Sequence, residues 1–326
     1  MKRFKDILCV VETGKACKPA LERAITLAEN NQASLTIIDV TERITMGVGM
    51  LKDGPISADL QAAVVDSHAQ ALETMIDPYR KRIKIKTKVL TGISFLEIIR
   101  EVLRYGHDLV IKIPDARDWL DRLFGSDDMH LLRKCPCPIW LIKPKAPKSY
   151  RRILAAVDVD DSYPHAEVES QHILNRQILE IASSLALSDF AELHVAHVWE
   201  AVGEGVMRGA LMNTPEDKVV AYVEKVRKHR QAGLEKLVHE VSDKLNQDAM
   251  NYLKPETHLV KGKARKEIPV LTNQIEADLV VMGTVARTGI PGFIMGNTAE
   301  TILDHIDCSV LAIKPPGFVT PVMLED

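Results

Sequence analysis

The sequence contains no apolar run approaching the ~18 residues that a membrane-spanning helix requires, so no membrane partner is expected. Cysteine is scarce, five in 326 residues. An odd and small set does not make a disulfide framework, and a reducing, cytoplasmic setting is expected. Neither sign of charge dominates: Lys+Arg number 42 and Asp+Glu 45, a formal charge of −3. Such a chain has no general field to attract nucleic acid or an acidic surface. The start MKRFKDILCVVE runs directly into a strand-like segment without a small-residue cleavage site, so no signal peptide is expected. Also missing are a G-x-S-x-G elbow, an H-E-x-x-H helix and a G-x4-G-K-S/T loop. Their absence removes the motifs of three common hydrolytic chemistries. No nucleophile stands beside an obvious base, which weighs against an enzyme.

What is present is a globular composition, 46% hydrophobic and 27% charged, in a chain long enough for two domains of about 150 residues. The two halves resemble each other. KDILCVVE (5–12) matches RRILAAVD (151–158), HDLVIKI (107–113) matches ADLVVMG (277–283), and CPIWLIKP (137–144) matches CSVLAIKP (308–315). The offset grows from 146 (158 − 12) to 170 (278 − 108) and 171 (315 − 144), so the second copy carries early insertions. The polar, proline-containing stretch 145–150 reads as the join, giving domains 1–146 and 147–326.

Short β-branched runs alternate with helical periods. Strands are expected near 6–12, 34–40, 84–90, 108–113 and 138–143, then 152–158, 191–198, 256–260, 278–283 and 309–314. A helix is expected after Pro19, and another over 215–245, where Val219, Val223, Val226, Leu234, Leu237, Val241 and Leu245 lie near one stripe. The fold class is α/β: two tandem Rossmann-like domains, each a five-stranded parallel sheet with helices on both faces.

In such sheets ligands bind beyond the carboxyl ends of the strands. In the second copy the fourth strand runs into GTVARTGIPGFIMGNT (283–298), whose Asn297 or Thr298 could cap a following helix. A glycine-rich turn and a helix N-terminus favour an anion, although the same residues suit a tight turn. KGKARK (261–266) adds Lys261 and Lys263 at that edge as phosphate contacts, or as a solvated helix start. Asp158, at the end of the first strand, could accept a ribose hydroxyl or hold a phosphate-bound Mg²⁺, or merely end a strand.

Gly283-x2-Ala286-x9-Gly296-Asn297, with VMG before it and AVD at 156–158, resembles the G-x2-G-x9-G-S/T loop of the universal stress protein family. The likeness spans the chain as two copies, in the tandem E-type form, and implies the adenine nucleotide α-hydrolase-like fold. It implies ATP, with or without Mg²⁺, in the second copy, at Ala156, Val157, Asp158, Met282, Gly283, Ala286, Arg287, Gly296, Asn297 and Thr298, with Val198 at the adenine edge. The chain departs from the pattern where Ala286 replaces a glycine and Asn297 a Ser/Thr. The first copy departs further. Glu12 stands for Asp158, and Ile113 (or Lys112, with the gap shifted) stands for Gly283. Of the loop only Gly125 and Ser126 survive, followed by Asp127 and Asp128, which would repel phosphate. The first copy is expected not to hold ATP in the family manner. It is read as structural, or as a crevice for something more apolar beside Ile93, Phe95, Ile113 and Trp119. Family domains commonly dimerise through their last strand, so the resemblance implies that 139–142 and 310–313 pair inside the chain. The chain is then an intramolecular pseudo-dimer, and a homodimer would need another surface.

No metal site is expected. Cys137 recurs as Cys308 without a partner cysteine, which marks a small buried position, while Cys17 reads as a loop thiol with nothing nearby to lower its pKa. His194 and His197 point to opposite faces of one strand. Three functions remain open: an ATP-binding stress-response regulator acting through conformation or unknown protein partners, a slow ATP-hydrolysing or adenylate-transferring enzyme, and a non-nucleotide binder or scaffold using the first copy's crevice.

Overall fold

The structure, a computed structural model, describes residues 4–15, 17–44, 55–114, 127–209, 212–245, 247–284 and 295–324. The first copy runs β1 (Asp6–Val11), α1 (Lys18–Asn31), β2 (Ser34–Thr41), α2 (Pro55–Ile76), β3 (Ile85–Thr91), α3 (Ser94–Tyr105), β4 (Leu109–Lys112), α4 (Asp127–Lys134) and β5 (Ile139–Leu141). The second runs β6 (Arg152–Ala156), α5 (His165–Asp189), β7 (Glu192–Trp199), α6 (Glu204–Arg208), α7 (Glu216–Ser242), α8 (Gln247–Leu253), β8 (Glu256–Lys261), α9 (Ala264–Gln274), β9 (Leu279–Gly283), α10 (Asn297–His305) and β10 (Ser309–Ile313). All ten strands fall where the β-branched runs place them. Among the described residues no helix is long and apolar enough to cross a membrane.

The chain forms two compact units, one of residues 3–148 with 308–314 and 318–326, the other of 149–307 with the short ends 1–2 and 315–317. In the first unit β3-β2-β1-β4-β5 are parallel neighbours. β10 then adds itself antiparallel to β5, with Val310 opposite Leu141, Leu311 opposite Trp140 and Ala312 opposite Ile139. Lys314, just past β10, donates to the carbonyls of Leu132 and Arg133 at the end of α4. A cation there meets the negative end of the helix dipole, while burial lowers its pKa to about 8. In the second unit β9-β6-β7-β8 are all parallel. The central strands are nearly continuous apolar runs because helices cover both of their faces.

Both copies use the same local devices. Asp108 accepts the main-chain N–H groups of Lys5 and Asp6 at 2.7 and 3.0 Å, and Asp278 those of Arg151 and Arg152 at 2.6 and 3.2 Å. α1 and α5 each end on a left-handed residue, Gln32 (φ 50°) and Phe190 (φ 58°). That pair fixes the offset at 158 (190 − 32), which locates the insertions. With their ends aligned, α1 begins opposite residue 176 (18 + 158), so α5 has an N-terminal extension from 165. The rest of the offset accrues in α6–α8, since Gly92 and Gly262 already stand 170 apart (262 − 92).

All five cysteines are reduced and buried. At Cys17 burial pushes the pKa up, in line with the sequence reading, and a raised pKa leaves little thiolate.

Trp140 is fully buried between the registers of β4 and β10, with the Arg23 guanidinium 5.5 Å from its ring. Trp140→Ala should cost about 3–5 kcal/mol, read as a lower denaturant midpoint for the first unit.

Candidate functional site

The strand order of the second unit reverses at β6, whose neighbours are β7 on one side and β9 on the other. A crevice opens beyond the carboxyl ends of such a pair, and here it is a cleft of about 540 Å³. That lies within the roughly 300–1,000 Å³ of small-molecule sites. Ala156, Val157 and Asp158 leave β6 to form its floor, Val198 comes from β7, and Met282 and Gly283 from β9. Lys263 precedes α9, and Gly296 and Thr298 bring the start of α10 to the same space. Asn297 is not among the lining residues. Lys261 turns away to Glu204 on α6, Nζ to Oε2 2.6 Å. Ala286 and Arg287 lie outside the described residues.

α10 is not capped by Asn297 or Thr298, as the sequence suggested. Asn297 is already its first residue, and the cap is Gly296 in extended backbone (φ −77°, ψ 138°). Without a capping side chain, the first-turn N–H groups retain their capacity for an anion.

Asp158 is fixed through its backbone. Buried Asn175 on α5 accepts from the Asp158 N–H at 3.0 Å and donates to the Asp158 carbonyl. The Asp158 carboxylate accepts from the Asp160 N–H at 3.1 Å and from the Tyr163 hydroxyl at 2.9 Å. Arg230 of α7 reaches Asp160 and Asp161, both at 2.7 Å. Burial works to raise the Asp160 carboxyl, but hydrogen bonds from Ser162 and the charge of Arg230 hold it below its ordinary value. Behind the floor, His197 is buried, with Nδ1 3.3 Å from the Val157 carbonyl and 3.8 Å from Asp158 Oδ1. Burial pushes its pKa down against the pull of Asp158.

Gln171, Leu174, Asn175 and Ile178 of α5 also line the cleft. Leu174 gives Gly283 a reason other than phosphate approach: a Cβ at 283 would sit 2.8 Å from Leu174 Cδ2. The first three belong to the N-terminal extension of α5, so the first copy could not signal them. Tyr163 precedes the same helix.

The corresponding crevice of the first unit is lined by Glu12, Lys15, Asp39, Glu42, Arg43, His68, Glu97, Arg100, Lys112 and Asp127, with Ile93 and Ile113 among fewer apolar groups. Ile93 and Ile113 line it as expected, together with many charged groups, while Phe95 is not among its lining residues. Strand register pairs Val10 with Lys112 as it pairs Ala156 with Met282, so Ile113 is the counterpart of Gly283. The start of α4 carries Asp127 and Asp128, and buried Asp128 forms an ion pair with buried Lys112 at 2.5 Å. The cation at the end of β4 is thus already neutralised by the chain's own carboxylate. Gly125, Ser126 and Trp119 lie outside the described residues. Buried Asp39 accepts from Thr13, N–H at 3.2 Å and Oγ1 at 2.7 Å, and meets His68 Nδ1 at 2.8 Å.

The model of the universal stress protein family matches residues 3–143 and again 149–314. Universal stress protein E of Escherichia coli is 29% identical over 332 residues, covering 100% of this chain and 99% of that protein. The universal stress protein E homolog of Haemophilus influenzae is 27% identical, covering 96% of this chain and 98% of that protein. Among solved structures, a functionally unknown protein from Pseudomonas aeruginosa aligns at TM-score 0.67 and 27% identity over 96% of this chain and 93% of its own. A universal stress protein from Archaeoglobus fulgidus aligns at TM-score 0.59 and 16% identity, over 95% and 98%, a likeness of fold alone.

Two outcomes are expected at this site. Gly283→Ala should cost about 1–3 kcal/mol by overpacking against Leu174, and adding Leu174→Ala should return part of that loss in a double-mutant cycle of denaturant melts. His197 is held neutral by burial. The unfolded chain therefore binds the extra proton, and stability should fall as pH drops below about 6.5. His197→Asn should flatten that part of the melting profile.

Proposed function

The chain belongs to the universal stress protein family, with two domains of that family in tandem, and from this we propose that it is an ATP-binding regulator of the stress response, with its nucleotide in the second unit. It acts in the cytoplasm through conformation and protein partners, with turnover at most slow. The observation that carries this reading is the contrast at the two helix starts. At the offset of 171 that relates the last strands (308 − 137), Thr298 and Ala299 of α10, which line the cleft with Lys263, stand where α4 has Asp127 and Asp128, the latter paired with Lys112.

In the second cleft the phosphates would meet the start of α10 and Lys263, where backbone N–H groups and an ammonium neutralise charge. The base would lie against Val198 and Met282, and the ribose near Asp158. Bound Mg²⁺ usually takes one or two carboxylates together with phosphate oxygens. Asp158 can supply one, while Asp160 is engaged by Arg230.

Calorimetry with Mg-ATP on the full chain tests this. One ATP per chain is expected. Lys263→Glu should weaken it at least tenfold, about 1.4 kcal/mol, while Lys15→Glu in the first crevice should not change it. No binding heat at millimolar ATP, or loss only with Lys15→Glu, would overturn the reading.

A further inference from the structure

β8 ends the strand order of the second unit, and on it and β7 the chain gathers two imidazoles and two carboxylates that the nucleotide cleft does not use. In the parallel register His194 stands opposite Glu256, and Ala196 opposite His258. Paired residues share a face, as do positions two apart on one strand. Glu192, His194, Glu256 and His258 therefore lie on one face, while His197 turns to the other. His194 Nδ1 and His258 Nε2 are 3.0 Å apart. Glu256 Oε2 is 3.6 Å from that nitrogen of His194 and Oε1 3.8 Å from that of His258, and one ligand atom from each of the three residues fits within a 4.8 Å span.

Ligand atoms about 2.0–2.2 Å from a tetrahedral ion are separated by roughly 3.3 Å; the two ring nitrogens stand 3.0 Å apart, and a small turn of the exposed Glu256 carboxylate would bring one oxygen to that distance from both. Two imidazoles with one carboxylate suit zinc among the biological divalent ions. A second observation concerns the far side of the ring. His194 Nε2 is buried and has no hydrogen-bond partner, and it lies 3.8 Å from Glu192 Oε2. Glu192 is itself held by the Arg152 Nε at 3.0 Å. At 3.8 Å the Glu192 carboxylate makes no hydrogen bond to the outer nitrogen, but its charge favours the proton on that side, and a shortening of less than about 1 Å would make the hydrogen bond that commonly supports a metal-ligating histidine. We propose that His194, His258 and Glu256 bind a divalent transition-metal ion of the zinc class, with Glu192 orienting His194 and a fourth position open to water.

The sequence conceals this set because its members come from two strands, with 64 residues between the two histidines. The competing arrangement is a plain N–H···N bond between the rings, which needs no ion.

The test is Co²⁺ titration of the chelator-treated full chain followed by visible absorption, with Zn²⁺ competition to give the affinity. One Co²⁺ per chain with the intense bands of tetrahedral coordination, displaced by one Zn²⁺, is expected. The double variant His194→Gln/His258→Gln should lose those bands, and its melting curve without metal checks that it folds. Glu192→Gln should keep the bands and bind about 10- to 100-fold more weakly. The proposal is overturned if the wild type gives no tetrahedral Co²⁺ spectrum, or if His258→Gln alone, a change on the edge strand, binds as tightly as wild type.

Discussion

The cleft of the second unit depends on one buried amide. Asn175 bonds to both main-chain groups of Asp158, doing for the end of β6 what a neighbouring strand does along its length. A buried amide is stabilising only when its donors and acceptor are used, so this pair fixes the distance of α5 from the strand end. With α5 held there, Leu174 meets Gly283 at the next strand, and a side chain at that position would have to push the Leu174 Cδ2 methyl aside. The apolar packing of α5 on β6 and β9 through Leu174, Ile178 and Ala182 sets the wall of the cleft, and the Asn175 contact places Asp158 on its floor.

The first unit shows what the same framework becomes without it. α1 begins where α5 has already run past residue 175, so no residue of that helix occupies the clamp position. Charged groups line the crevice and are already engaged, Lys112 by buried Asp128 behind it and Asp39 by Thr13 and His68. A buried ion pair at the start of α4 costs desolvation twice and regains it only with both partners present. An incoming phosphate would have to displace Asp128 from Lys112. The copies thus share strands, turns and capping devices, and differ in what stands at the carboxyl edge.

The strands were readable because buried parallel strands are continuous apolar runs, and the tandem repeat because its offset changes only at insertions. Residues in the walls of the cleft were readable where they sit at strand ends: Asp158, Val198, Met282 and Lys263. Contacts made across chain distance were not. Nothing local to Asn175 says that it faces Asp158, and a glycine at 283 reads as a phosphate turn until Leu174 is seen against it. The capping of α10 was misplaced by one residue because Asn297 and Thr298 are both good caps by composition, whereas backbone geometry puts Gly296 there. Ile93 and Ile113 of the first crevice were readable at strand ends, whereas its charged groups were not, because they arrive from several elements, β2, α2, α3, β4 and α4.

The central claim is that one chain with two related units has a single adenine-nucleotide site, in the second. Photolabelling with an azido-adenine ATP, followed by peptide mapping, tests it most directly. The account predicts label on the peptide after β7, around Val198 to Val202, protected by excess ATP. Equal or greater protected labelling on the peptide after β2, around Val40 to Arg43, would contradict it.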